Sequence, residues 1–80
     1  MARVVFPDHL RQHTNGTEEL TVVCDSFRSL VRKLDSDFPG IEEVLMKTAV
    51  AIDGQIYQDA WLEPIQPDSE VFFMHRIEGG

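Results

Sequence analysis

One amphipathic helix near the middle of the chain constrains the fold more than any other sequence feature. The apolar residues of one stripe follow the helical spacing i, i+3, i+4 and i+7: Phe27, Leu30, Val31 and Leu34. Asp25 or Ser26 can cap the start of this helix. Phe38-Pro39-Gly40 ends it, because proline cannot continue the hydrogen-bond ladder and glycine accepts a left-handed exit. A brief second helical turn is expected over 41–45.

Two short runs of β-branched and aromatic residues precede the helix. Residues 3–6 and 20–23 both predict strands. Between them lies a polar stretch that contains Asn15-Gly16, a pair that tolerates positive φ. We therefore expect a hairpin with a long loop over 8–19.

The second half of the chain predicts another hairpin and a final strand. Asp53-Gly54 is typical of a tight two-residue turn, and it separates the strand-like runs 49–52 and 55–57. A turn region with two prolines follows, and a last strand is expected over 70–77. The order of two strands, one main helix, a small hairpin and a final strand predicts an α+β fold, with a mixed sheet packed on one helix.

Size, charge and cysteine content exclude several classes of protein. A chain of 80 residues has room for one domain, and Cys24 is its only cysteine, so an internal disulfide cannot form. The net charge of −7 disfavours nucleic acid and anionic membranes as partners and favours a partner with a basic surface. With no apolar run near 20 residues long, we expect a cytoplasmic protein.

The C-terminal sequence gives the strongest indication of a family. The chain ends in RIEGG, one residue after the apolar run Val71-Phe72-Phe73-Met74. The order of elements resembles the β-grasp arrangement of ubiquitin-like proteins. Three further stretches carry a resemblance to the small sulfur carriers of the MoaD/ThiS family: Phe38-Pro39-Gly40-Ile41, Ile52-Asp53-Gly54, and Pro67-Asp68-Ser69-Glu70-Val71 leading to Gly79-Gly80. The resemblance covers nearly the whole chain and implies a single β-grasp domain over 1–80 with a flexible Gly-Gly tail over 77–80.

The resemblance implies a carrier protein rather than an enzyme. The Gly80 carboxylate would be adenylated by an ATP-using enzyme related to ubiquitin activators, and a sulfur donor protein would convert the adenylate to a thiocarboxylate. A downstream biosynthetic enzyme would then take the sulfur, with molybdopterin synthesis as the first assignment. No bound cofactor and no metal are expected. Because glycine has no Cβ, Gly79 and Gly80 can lie close to the backbone of a partner's channel.

Two other functions share the same sequence features. A ubiquitin-like modifier would join an activated Gly80 to a lysine in an isopeptide bond. A non-covalent β-grasp subunit would bind partners through the fold alone. Its terminal glycines would then have no function, since small residues are often tolerated in a disordered chain end.

The last strand also predicts a docking surface. Successive strand residues face opposite sides of a sheet, so if Val71 and Phe73 pack on the helix, Phe72 and Met74 point away from it. Exposed apolar side chains near the tail indicate partner binding, together with three tail residues: Arg76, Ile77 and Glu78. The alternative is that other segments of the chain cover this face.

Three further sets of residues carry weaker signals. His9 and His13 have a metal-like spacing, but Pro7 and Asn15-Gly16 favour a solvated loop there. Cys24 could have a lowered pKa at a helix start, although a free cysteine is more often a small buried apolar residue. The acidic pairs Glu18-Glu19 and Glu42-Glu43 fit solvated faces.

Overall fold

The fold is a five-stranded sheet with one main helix packed across it, as seen in a computed structural model that describes residues 1–75. The strands and helices, in chain order, are β1 (Ala2–Val5), a 3-10 helix (Asp8–His13), β2 (Glu19–Val22), α1 (Phe27–Asp37), α2 (Ile41–Leu45), β3 (Ala49–Ile52), β4 (Gln55–Tyr57) and β5 (Glu70–Met74). The strand order across the sheet is β2-β1-β5-β3-β4.

The last strand lies in the centre of the sheet. β5 pairs in parallel with β1 and antiparallel with β3. The two outer pairs, β1 with β2 and β3 with β4, are the antiparallel hairpins expected from the sequence. This mixed sheet with a helix on one face confirms the predicted β-grasp fold.

Helix α1 begins and ends where the sequence predicts. Ser26 is its N-cap: the Ser26 hydroxyl accepts from the Ser29 amide at 3.1 Å, and the Ser29 hydroxyl accepts from the Ser26 amide at 3.3 Å. At the other end Gly40 adopts a φ of 93°, and Asp35 Oδ1 accepts from the amides of Gly40 and Glu42. The Asp35 carboxylate thus joins the exit of α1 to the first turn of α2.

The hydrophobic core lies between α1 and the inner face of the sheet. All four residues of the helical stripe are buried, with at most 4% of any one exposed: Phe27, Leu30, Val31 and Leu34. Phe6, just after β1, stacks on Phe73 of β5 with ring centroids 5.8 Å apart. Phe38 meets the edge of the Phe6 ring at 6.3 Å. Burial of these side chains provides the main driving force for folding.

Two predictions about segment boundaries were wrong. The expected loop over 8–19 contains the 3-10 helix, which the apolar pattern could not show because Leu10 is its only apolar residue and 3-10 helices are short. Leu10 is completely buried and anchors this helix to the core. The final strand ends at Met74 rather than residue 77, because Met74 pairs with Ala49, the first residue of β3.

The predicted tight turn between β3 and β4 is confirmed. Asp53 and Gly54 have φ angles of 51° and 85°. This pair of left-handed residues is the geometry that a two-residue hairpin turn requires. Within residues 1–75, no helix has the length and apolar character needed to cross a membrane.

Candidate functional site

The tail residues predicted to carry the function lie outside the described part of the chain. These are Gly79 and Gly80, expected to carry the acyl group, and Arg76, Ile77 and Glu78, expected to contact a partner. The structure does describe β5, the strand that leads to them. The candidate site is therefore built from β5 and its neighbours.

Side chains of β5 alternate between the core and the opposite face of the sheet. Val71 and Phe73 are buried, with 0% and 3% exposed, whereas Phe72 is 36% exposed and Met74 is half-buried. The predicted directions of Phe72 and Met74 are thus confirmed. We call the side of the sheet that faces away from α1 the outer face.

A row of apolar side chains crosses the outer face at the level of Phe72. Phe72 pairs with Val5 of β1 on one side and with Ala51 of β3 on the other, and Ala51 pairs with Ile56 of β4. Ile56 is 54% exposed at the end of this row. We call Val5, Phe72, Ala51 and Ile56 the apolar row. Met74 lies one step further along β5, near the start of the tail.

A charged network borders the apolar row. The Arg3 guanidinium bonds Glu19 at 2.8 Å and Glu70 at 2.6 Å, and it lies 5.9 Å from the centre of the Phe72 ring. The hydrogen bonds to Glu19 and Glu70 raise the pKa of Arg3, and the Arg3 bond lowers the pKa of Glu19. All three charged side chains are exposed, so their contribution to stability is small. Their effect on the site is positional, because the network holds the Arg3 guanidinium beside the Phe72 ring.

The start of β5 is fixed by a buried hydroxyl. Ser69, only 1% exposed, donates to Asp53 Oδ2 at 2.7 Å and accepts from the Gln66 amide at 2.9 Å. Asp53 Oδ1 also accepts from the Glu70 amide at 2.9 Å. The bonds from Ser69 and Glu70 lower the pKa of Asp53. The β3–β4 turn thereby holds the first residue of the strand that carries the C-terminus.

His9 occupies a different environment from the expected solvated loop, whereas His13 is exposed as expected. His9 lies in the 3-10 helix, is half-buried, and stacks on His75 with ring centroids 3.7 Å apart. Burial lowers the pKa of His9, and the charges of His75 and His13 lower it further. Over residues 1–75, no group of three or more His, Cys, Asp or Glu side chains is arranged to hold a metal ion.

The environment of Cys24 favours the expected packing role over a reactive one. Cys24 is partly buried against the core, and burial raises the pKa of its thiol. Lys33 opposes this effect without reversing it. A thiol with a raised pKa is a poor nucleophile at neutral pH, so Cys24 is a packing residue.

Sequence reasoning missed most of the surface around Phe72. Val5, Ile56 and Arg3 were not predicted as site residues, although each is part of the outer face. The alternation of β1 and β4 places these residues outward, and that signal was available. What the sequence does not give is the register that aligns three distant strands beside Phe72.

Comparison by sequence finds no match, whereas comparison by structure finds proteins with the same fold. No protein-family model matches the chain, and no curated protein matches it by sequence. Three solved structures share its fold with TM-scores well above chance. Mycobacterium tuberculosis CysO, described as an antigen, has a TM-score of 0.84 at 18% identity, over 96% of this chain and all of its own.

The other two similar structures involve a complex and a modifier protein. The BexX/CysO complex of Amycolatopsis orientalis contains a chain with a TM-score of 0.86 at 17% identity, and both chains are covered completely. The small archaeal modifier protein 1 of Methanosarcina acetivorans has a TM-score of 0.79 at 16% identity, over 99% of this chain and 95% of its own. At these identities the likeness is one of fold, and it establishes that the chain has a ubiquitin-like β-grasp fold.

Proposed function

We propose that the chain is a sulfur carrier protein whose C-terminal Gly80 carboxylate is converted to a thiocarboxylate. The observation that supports this proposal most directly is the position of β5. This central strand runs from an apolar outer face straight into the terminal segment that ends in Gly79-Gly80. A partner docked on that face would contact the strand that leads in sequence to the residue it must modify.

The proposed chemistry takes place in partner enzymes. A carboxylate is a poor electrophile, so the Gly80 oxygen attacks the α-phosphate of ATP, and pyrophosphate leaves as the acyl-adenylate forms. A sulfur donor protein then delivers hydrosulfide (HS⁻) to the acyl carbon; the C–S bond forms and the acyl–phosphate bond breaks as AMP leaves. The product is a terminal thiocarboxylate. This chain supplies no catalytic group, and ATP is bound by the activating partner.

Docking of the activating enzyme would use the apolar row and Met74. Large aromatic side chains near the centre of an interface contribute most of its binding energy, and Phe72 occupies the centre of this row. The bordering charges of Arg3, Glu19 and Glu70 sum to −1, in keeping with the acidic chain as a whole. A partner surface with an apolar centre and a basic rim fits this face. The tail residues Arg76, Ile77 and Glu78 would extend the contact toward the partner's channel.

One observation favours a second function. The small archaeal modifier protein 1 has the same fold, and its name describes a protein modifier. A modifier and a sulfur carrier share the adenylation step and differ in the nucleophile that follows. In the second case a lysine amine attacks the Gly80 acyl group and an isopeptide bond forms.

Intact mass spectrometry of the protein purified from its own cells separates these functions. A terminal oxygen replaced by sulfur supports the carrier, and a Gly80-linked lysine adduct supports the modifier. An unmodified chain that ATP and its activating enzyme leave unchanged refutes both, as does a mass that places further residues after Gly80. The matched control is the Gly80→Ala variant, in which neither product is expected.

The acceptor of the sulfur is proposed from family resemblance. Molybdopterin synthesis is the first assignment, and a cytoplasmic location follows from it. The similarity to the CysO structures makes a carrier for cysteine synthesis the second, since their name points to that amino acid. Identifying the enzyme that co-purifies with this chain distinguishes the two assignments.

A further inference from the structure

The feature that carries a further inference is the contact between the 3-10 helix and the end of β5. β1 and β5 are parallel neighbours, and Val5 pairs with Phe72. Three residues after this pair, both strands have ended, and the 3-10 helix begins there beside His75. The His9 ring lies over the His75 ring at 3.7 Å, with 20° between the ring planes. His75 is the last residue before the segment 76–80.

The His9 ring is held by a well-anchored element. Leu10 beside it is completely buried, and its amide donates to the Pro7 carbonyl at 3.0 Å. Arg11 forms ion pairs with Asp8 and with Glu18, the latter at 3.2 Å. These contacts fix the 3-10 helix to the body of the domain, so the stacked ring fixes the position of His75 as well.

The stack requires neutral rings. Two imidazolium cations at this separation repel each other, and half-burial of His9 adds a desolvation cost to its charged form. His9 Nδ1 is also buried without a hydrogen-bond partner among the described residues, so a proton placed there gains no acceptor. The charged groups that act on His9 are His75 and His13, and both disfavour its protonation. The pKa of His9 is accordingly lowered.

We propose that His9 is a positioning residue for His75: its neutral ring clamps His75 by stacking, and protonation of His9 releases the His75 ring. We call the stacked pair the histidine clamp. With the clamp closed, His75, the last residue before segment 76–80, is held against the 3-10 helix. Mild acid would open the clamp and free the His75 ring.

The direction of the pH effect follows from linkage. A histidine whose folded pKa lies below its unfolded value of about 6.5 stabilises the closed clamp at higher pH. That contribution is lost as the pH falls through the lower, folded value. The clamp is thus closed near neutral pH and opens under acidic conditions. The role of the clamp in acyl transfer rests on the proposed function, whereas the existence of the clamp does not depend on that function.

Proton NMR of the histidine rings tests the clamp, since the chain has only three histidines. At pH 7.5 the His75 ring protons should be shifted upfield by the His9 ring, and the shift should vanish as the pH falls. His9→Ala should abolish the upfield shift at every pH. His13→Ala, a change of the neighbouring histidine, should leave the shift in place.

A second variant separates stacking from titration. His9→Phe retains an aromatic ring that cannot be protonated, so the upfield shift of His75 should persist at low pH. This variant also decides the matter if His9→Ala fails to fold. A His75 ring signal that is identical in wild type, His9→Ala and His9→Phe would overturn the clamp. Failure of the wild-type protein to be adenylated would refute the proposed function and leave the NMR result unaffected.

Discussion

Replacing Phe72 with alanine should weaken binding to the activating enzyme about twentyfold. Phe72 is 36% exposed, and a phenylalanine side chain offers about 200 Å², so a docked partner removes about 70 Å² of it from water. At about 25 cal/mol per Å² this burial contributes about 1.8 kcal/mol. We therefore expect the Kd of Phe72→Ala for the enzyme to rise about twentyfold.

The same substitution should also lower folding stability. About 130 Å² of the Phe72 side chain is already covered within the fold, and at about 25 cal/mol per Å² its loss costs about 3 kcal/mol. Urea unfolding gives this value directly, and isothermal titration calorimetry with the co-purifying activating enzyme gives the Kd.

Leu62→Ala is the matched control for the loss of exposed apolar area. Leu62 is 84% exposed but lies between β4 and β5, outside the sheet, so its truncation should leave the Kd unchanged. Equal Kd values for Phe72→Ala and wild type would refute docking on the outer face. Equal losses of affinity for Phe72→Ala and Leu62→Ala would show that removing exposed apolar area weakens binding wherever it lies on the surface.

Three further predictions concern the strand that carries the C-terminus and the tail itself. Ser69→Ala leaves the part-buried Gln66 amide and the Asp53 carboxylate without their hydroxyl partner and should cost about 2 kcal/mol in urea unfolding, whereas Ser36→Ala on the exposed side of α1 should change stability by under about 0.5 kcal/mol. The lowered pKa of Asp53 stabilises the fold above the unfolded carboxyl pKa of about 3.9, and that contribution is lost as the pH falls through the lower folded value; Asp53→Asn should flatten this part of the stability–pH curve. Gly80→Ala should unfold at the same urea concentration as wild type while failing to form an adenylate, and normal adenylate formation by this variant would contradict the need for an unhindered terminus.

The sequence predicted the parts of the fold that depend on local patterns. The stripe from Phe27 to Leu34 has the period of a helix, and Ser26 and Gly40 mark its ends through local hydrogen bonding and backbone geometry. Asp53-Gly54 predicted its turn for the same reason. In each case the signal lies within a few residues of the structure that it determines.

The features that the sequence did not predict depend on contacts between distant segments. Leu10 is one apolar residue in a polar stretch, and only the tertiary fold shows that it reaches the core. The neighbours of Phe72 are set by the register of β5 between β1 and β3, and no local pattern specifies that register. The contact of His9 with His75 joins residues at opposite ends of the chain, so spacing along the sequence gave no sign of it.

The central position of β5 also determines how the domain responds to force. A partner that draws the terminus into its channel pulls along the axis of β5. The hydrogen bonds to β3 run nearly perpendicular to that axis, and those to β1 on the other side are slanted across it. Both ladders are consequently loaded together in shear instead of opening one bond at a time. A pull on the C-terminus is thus resisted by both hydrogen-bond ladders of β5 at once, and the sheet is stable against unfolding from this end.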